Sequence, residues 1–365
     1  MQDTYQKRLD ALRQKMAQSN TDLVVLGPSS HMNWISGVNP HGDERPVMLL
    51  ISPDYAGFLM PSLNADSVRQ HTDLPFHIWH DADGPTEALR DLLAASGTPK
   101  GASRIVLDET MRTDFTFLIK DALPEAQLRF TADTVGDLRK SKDATEYDAL
   151  KASNIINDLA LTAAFDGLKE GMSERDVAAI IEAVYTSYGA QVEFIAVAFG
   201  ANGAFAHHHT GDTLLTQDTA VQIDTGCRYQ GYPSDNTRCG WFGTPTAEYK
   251  QVFDIVERAV QAGLAAAHVG AIAGEVDKAA RQVIEDAGYG PHFLSRTGHG
   301  LGLDLHEPPY ITSNSDVALE MGNVFSIEPG IYLADRFGIR LEEIVFLRAE
   351  GCEILSDMPR EMLVR

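Results

Sequence analysis

RTGHGLGLDLHEPPY, residues 296–310, is the stretch from which the fold is read. His299 stands between two glycines, where the backbone can approach a ligand closely. GHGLG is no phosphate loop, because no Lys-Ser/Thr pair follows it, and HEPP is not the zinc-binding HExxH, which needs a second His where Tyr310 stands. His299 must find its partners elsewhere in the chain. Four acidic residues in punctuated contexts offer themselves: Asp224 in IDTG (223–226), Asp235 in YPSDNTR (232–238), Glu328 in IEPG (327–330) and Glu342 in RLEE (340–343). Asp224 ends the apolar run AVQI, and with Gly226 close behind it is expected at a strand end entering a turn. Glu342 and Glu343 share the strand-like run IRLEEIVFL, so their side chains point to opposite faces and only one can join a site. Four carboxylates and an imidazole cannot be buried together without compensating positive charge. Two divalent ions about 3.5–4 Å apart would supply it and create a hydrolytic centre.

The order Asp, Asp, His, Glu, Glu, within GYPSDNTR, RTGHGLGLDLHEPPY, IEPGIYL and IRLEE, resembles the pita-bread metallopeptidases, and among them the Xaa-Pro aminopeptidases and Xaa-Pro dipeptidases (prolidases). The resemblance is close from about Leu138 to Leu355 and weaker before it. It implies an α+β chain: a smaller creatinase-type α/β domain over residues 1–137, then a pita-bread catalytic domain over 138–365. That second domain would be a pseudo-twofold of two αβ halves. One half would bring the aspartates and the other His299 and Glu328. The resemblance further implies that Asp224, Asp235, His299, Glu328 and Glu342 bind two metals, Glu342 bridging them. Glu343 stands where an Asp is usual, Ala206 where a Pro is common before His207, and Cys239 where a Thr is common; none of these is a ligand position.

The histidines divide the same way. Three consecutive side chains, His207 to His209, cannot face one ion from an extended strand. Matching NGAFAHH to the family's Asn-Xaa-Ala-Xaa-Xaa-His pattern makes His207 the substrate-contacting residue and leaves His208 and His209 structural. His306, seven residues beyond His299, matches the family's second active-site histidine, while His268 and His292 read as structural or exposed. The implied reaction is hydrolysis of the amide bond preceding proline, with the water activated between the metals, Glu328 passing the proton to the leaving nitrogen, and His207 and His306 stabilising the oxyanion. Tyr232, Thr237 and Arg340 are expected to support the ligands. Oxygen-rich coordination favours Mn2+, with Co2+ or Zn2+ as alternatives. A small peptide is the implied substrate, but fold and metal site do not fix it. Ectoine hydrolase and then dimethylsulfoniopropionate lyase, relatives acting on non-peptides, stay open. Creatinase works without metal and lacks the full ligand set, and methionine aminopeptidase lacks the N-terminal domain.

Length and composition agree. The chain has 365 residues, long enough for two domains, and is 44% hydrophobic and 22% charged, which gives ample core. A net charge of −22 argues against nucleic acid or an anionic membrane as partner. Three cysteines form no paired framework, and no run of 18 apolar residues or signal-peptide core is present, so a cytoplasmic location is expected. Cys227 and Cys239 flank the aspartates, but a hard carboxylate site does not want thiolate, and buried structural thiols are expected.

Before residue 137, strand-like runs (DLVVLGP, PVMLLIS, GFLMPS, RIVLDE) alternate with helical stretches (TEALRDLLAASG, DFTFLIKDAL) behind an N-terminal amphipathic helix, MQDTYQKRLDALRQKMAQ. His41, Glu44 and Arg45 lie in a polar loop, and Trp34 and Trp79 sit beside polar segments as walls of an interface or pocket, with plain core packing the alternative for Trp34. The resemblance implies a homodimer in which this domain borders the partner's active site. Later, residues 143–168 and 171–190 each carry a helix, the second capped by Ser173 with Glu174 as a favourable first-turn charge, and a third long helix is expected over 248–267.

Overall fold

The computed structural model describes residues 2–99, 101 and 103–365; Met1, within the expected N-terminal helix, lies outside them. The chain separates into two compact units, Met1–Arg139 and Lys140–Arg365.

In the first unit, α1 (Gln2–Ser19) leads into β1 (Leu23–Leu26) and α2 (Ser30–Ser36). The hairpin of β2 (Met48–Ile51) and β3 (Ala56–Pro61) follows, then α3 (Ser62–Val68), β4 (Phe76–Trp79), α4 (Thr86–Ala95), β5 (Arg104–Leu107), α5 (Thr113–Ala122), β6 (Gln127–Phe130) and α6 (Val135–Lys140). The six strands make one sheet in the order β4-β3-β2-β1-β5-β6. Strands β1 and β2 are buried at every position, which explains their unbroken apolar runs: a strand covered on both faces has no polar alternation. The edge strands FHIW and QLRF escape sequence reading because short, partly wetted edges carry weak patterns. Trp34 and Trp79 are both 6% exposed, which corrects the expectation of an exposed wall for Trp79 and agrees with the core-packing alternative for Trp34. Trp79 packs among Leu59, Leu89 and Leu92, and its indole N–H donates to the Pro46 carbonyl at 3.1 Å. Arg45 is engaged by Asp81, Glu44 and Asp43.

In the second unit, α7 (Ala144–Asp166) starts at a capping box in which Asp143 accepts from the amides of Thr145 and Glu146 while Glu146 accepts from the Asp143 amide. Next come α8 (Glu174–Ser187), β7 (Gln191–Phe199), β8 (Thr219–Tyr229), β9 (Tyr232–Pro233) and β10 (Asn236–Phe242). Two further helices, α9 (Ala247–Ala266) and α10 (Ala273–Asp286), precede β11 (Gly298–Gly300), β12 (Glu307–Ile311), β13 (Val324–Ile327), β14 (Gly330–Leu333), β15 (Phe337–Arg340), β16 (Glu343–Arg348), β17 (Gly351–Ile354) and β18 (Leu363–Val364). Two helix pairs serve two sheets. Helices α7 and α8 pack Leu161, Phe165, Ile181 and Tyr185 against Val197, Val221 and Ile223 of the sheet β18-β10-β8-β7. Helices α9 and α10 pack Val256, Val260, Val276 and Ile284 with Phe325, Ile327 and Val345 of the sheet β12-β11-β13-β16-β17. This is the pair of αβ halves that the resemblance implied.

Two local expectations change. IRLEEIVFL is not one strand: β15 ends at Arg340 and β16 begins at Glu343, so Leu341 and Glu342 form the break between two sheets. Asp224 is not at a strand end but within the eleven residues of β8, which turns only at Gln230–Gly231. Gly226 serves close packing, since a Cβ there would lie 2.0 Å from the Ser234 carbonyl oxygen.

Candidate metal centre

The register of the two sheets decides which side chains converge. Asp224 of β8 pairs across to Thr237 of β10, and Asp235 immediately precedes β10. In the other sheet Ile327 pairs with Glu343, so Glu328 and Glu342, the residues flanking that pair, leave adjoining strands at the same level. His299 sits on β11, beside β13. The glycines around it admit neighbouring strands rather than a ligand: a Cβ at Gly298 would lie 1.9 Å from the Ser326 carbonyl oxygen, and one at Gly300 would lie 2.4 Å from that of Glu307.

All five residues come together. Ligand atoms of Asp224, Asp235 and Glu342 lie within 4.8 Å of one another, as do those of His299, Glu328 and Glu342, so two triads share Glu342. A third triad joins Asp235, His299 and His306. His299 Nε2 is 3.2 Å from Glu328 Oε1 and 3.5 Å from Asp235 Oδ2, and its ring lies edge-on to His306 at 4.1 Å. The Nδ1 of His299, 3.1 Å from the Gly300 carbonyl, is placed to donate to it, which would leave the Nε2 lone pair for the cluster. Ser326 Oγ accepts from the His299 amide and donates to Glu328 Oε1, both at 2.9 Å. Glu342 and Glu343 do part company: Glu343 accepts from Arg238 and Arg360 on the far side.

Two expected supporting residues reach the ligands. Thr237 Oγ lies 3.0 Å from Asp224 Oδ1 and 2.8 Å from Glu342 Oε2 and accepts from Arg340 Nε at 2.8 Å. Arg340 also donates to Asp224, to the Tyr332 hydroxyl and to the Ala206 carbonyl. Tyr232 is a correction. Its hydroxyl donates to Glu146 of the α7 capping box, and its ring packs with Leu150 and Leu301. Tyr332 takes the place expected of Tyr232. No periodicity distinguishes the two tyrosines; only the β14–β15 pairing brings Tyr332 beside Arg340.

The electrostatics call for cations. Burial, and then the charges of its carboxylate neighbours, raise Asp235 to about 7 and drive Glu342 well above the ordinary carboxylate range. Burial also raises Asp224 against the pull of Arg340. Glu328 alone is lowered, because His299 and Arg340 outweigh its burial. Glu342 Oε1 is buried, and among the described residues no hydrogen-bond partner is found for it. An orphaned carboxylate oxygen shared by two oxygen-rich triads fits hard divalent ions, and with them bound every carboxylate can stay ionised. Cys227 and Cys239 are fully buried, and burial pushes the Cys239 thiol up to about 12, so neither offers a thiolate.

The cluster forms the floor of a cavity of about 630 Å³ whose walls include Phe194, Ile195, His207, Arg296, His306 and Tyr332. Residues 205–209 run through a turn, not a strand. His207 and His209 line the cavity, while His208 also contacts Glu174 with Nε2 at 2.9 Å. Glu174 stands in the first turn of α8 as expected, and it is fully buried. Burial and then the neighbouring His299 and Arg296 hold His306 down to about 4, so it is neutral at pH 7.

The metallopeptidase family M24 matches residues 148–349, and the creatinase/prolidase N-terminal domain matches residues 8–140. The chain is 32% identical to a probable dipeptidase, PepE, of Mycobacterium tuberculosis, over 99% of this chain and 97% of that one. It is 29% identical to the Xaa-Pro dipeptidase of Pyrococcus furiosus, over 98% and 99%. Among solved structures, a prolidase from Thermococcus sibiricus superposes with a TM-score of 0.91 at 31% identity, covering 99% of both chains. Dipeptidase PepE from Mycobacterium ulcerans superposes at 0.94 and 31% identity, covering 99% of this chain and 98% of that one. With two αβ halves meeting at an acidic cluster, a creatinase/prolidase domain ahead of them and this likeness throughout, the chain belongs to metallopeptidase family M24.

Proposed function

We propose that the protein is a dinuclear-metal dipeptidase that hydrolyses the amide bond preceding proline in Xaa-Pro dipeptides. The observation that carries this reading is the pair of donor triads sharing Glu342. Asp224, Asp235 and Glu342 would hold one divalent ion, and His299, Glu328 and Glu342 the other. Manganese suits four carboxylates and one imidazole. Bound there, the ions would lower the pKa of the attacking water and polarise the scissile carbonyl.

The protein's own groups supply the rest. Glu328, kept ionised by His299 and Arg340, accepts the proton of the attacking water and returns it to the departing nitrogen. Proline's amide nitrogen carries no hydrogen, so that delivered proton is what lets it leave as an amine. His306, neutral at pH 7, donates a ring N–H to the oxyanion, and His207, which also lines the cavity, does the same. Arg296 supports a substrate with a free carboxylate. It lines the cavity, its guanidinium stands 4.7 Å over the Tyr310 ring, and no carboxylate partner is found for it among the described residues. Such a cation would select the C-terminal carboxylate of a dipeptide.

The test compares manganese-loaded enzyme on an Xaa-Pro dipeptide, the same dipeptide as its C-terminal amide, an Xaa-Pro tripeptide and ectoine. Turnover of the dipeptide, with Arg296→Gln raising its KM but not that of the amide, is the expected result. Faster hydrolysis of ectoine, or equal use of dipeptide and amide, would sink the reading.

A further inference from the structure

His207 is held by its neighbours rather than by itself. Among the described residues no hydrogen-bond partner is found for its ring, which faces the cavity. One residue before it, the Ala206 carbonyl accepts from Arg340 Nη1 at 3.3 Å. One residue after it, His208 Nε2 lies 2.9 Å from Glu174 Oε2. The same carboxylate accepts from the Gly211 amide at 2.8 Å, from the Phe199 amide at 3.0 Å and from Asn202 Nδ2 at 2.8 Å. Every one of these contacts lies on the segment 199–211 that carries His207.

The helix-end interaction of a first-turn glutamate does not require complete burial, so that role alone does not account for it. A buried ionised carboxylate persists only when its lone pairs are filled, and here both oxygens are. We infer that Glu174 is a positioning residue: from the N-terminus of α8 it clamps the 199–211 segment so that His207 is presented to the substrate. The cluster on one side, through Arg340, holds the Ala206 carbonyl, and α8 on the other, through Glu174, holds the His208 ring and the backbone amides of Phe199 and Gly211. That explains why the middle histidine of the three takes no place at the metals. The inference rests on the reading of His207 as a substrate contact.

Glu174→Gln is nearly isosteric, but its NH2 group would face donors that the second carboxylate oxygen now accepts. The experiment is a double-mutant cycle of Glu174→Gln and His207→Ala, with kcat, KM, bound manganese and melting temperature recorded for each protein on the Xaa-Pro dipeptide. Displacing His207 by about 1 Å should lower kcat by about tenfold or more, with metal content unchanged. In the His207→Ala background the Glu174→Gln change should then cost less than about twofold, since the group it positions is gone. Should Glu174→Gln not fold, Asn202→Ala removes a single donor and enters the same cycle. The inference is overturned if Glu174→Gln turns over within about twofold of the parent while His207→Ala is impaired, or if the two losses multiply. If His207→Ala is itself unimpaired, the catalytic role of His207 falls and the inference with it, which the single variant alone reveals.

Discussion

Thr237→Val tests whether the residue between the two sheets sets the affinity of the metal centre. Thr237 is fully buried, and its one hydroxyl proton is shared between Glu342 Oε2 at 2.8 Å and Asp224 Oδ1 at 3.0 Å. Its lone pair receives Arg340 Nε at 2.8 Å. Valine keeps the shape and removes all three contacts, leaving a guanidinium N–H and a carboxylate oxygen short of partners where water does not reach. A hydrogen bond to a charged group contributes about 1.5–3 kcal/mol. At about 1.4 kcal/mol per tenfold, the weakening of metal binding should be roughly tenfold to a hundredfold, the range found when partners of metal ligands are removed. Manganese affinity is read by competition with a chelating indicator, and kcat is read at saturating metal. Thr237→Ser, which keeps the hydroxyl, should stay near the parent. A valine variant with parental affinity and parental kcat would refute the idea that this hydroxyl orients the ligands.

Three further outcomes are expected. His306→Ala should lower turnover far more than bound metal, because the ring lines the cavity beside His299 and belongs to neither triad that shares Glu342; parallel loss of metal and activity would make it a ligand instead. In the first unit, burial raises Glu109, but hydrogen bonds from His31 and Thr131 outweigh it and bring the carboxyl down from 4.5 to about 2. A depressed carboxylate stabilises the fold above its unfolded pKa and loses that contribution as pH falls through the folded value. Glu109→Gln should therefore cost about 1 kcal/mol at pH 7, discounted because the side chain is nearly half exposed, and the gap to the parent should close between about pH 4.5 and 2; a gap that denaturant melts show to be independent of pH would refute the assignment. Light scattering should give a homodimer mass of about twice the 39.9 kDa chain, and a monomer at micromolar concentration would end that expectation.

Chemical identity was local, and so it was legible in the sequence. Asp224, Asp235, His299, Glu328 and Glu342 sit in short motifs that together carry the family resemblance, and Ser173 announces its helix as an N-cap. Partner choice was not local. Thr237 meets Glu342 from 105 positions away, and Arg340 meets Asp224 across 116. Tyr332 rather than Tyr232 joins them because two separate sheets meet there, and no periodicity encodes that meeting. Burial is likewise a property of the packed chain. Glu174 reads only as a first-turn helix charge until the 199–211 segment folds over it, and Trp79 reads as a pocket wall until Leu59, Leu89 and Leu92 close around it. Sequence determines which groups are available. Strand register and the covering of each face decide which of them touch, because those depend on residues too distant in the chain to leave a local pattern.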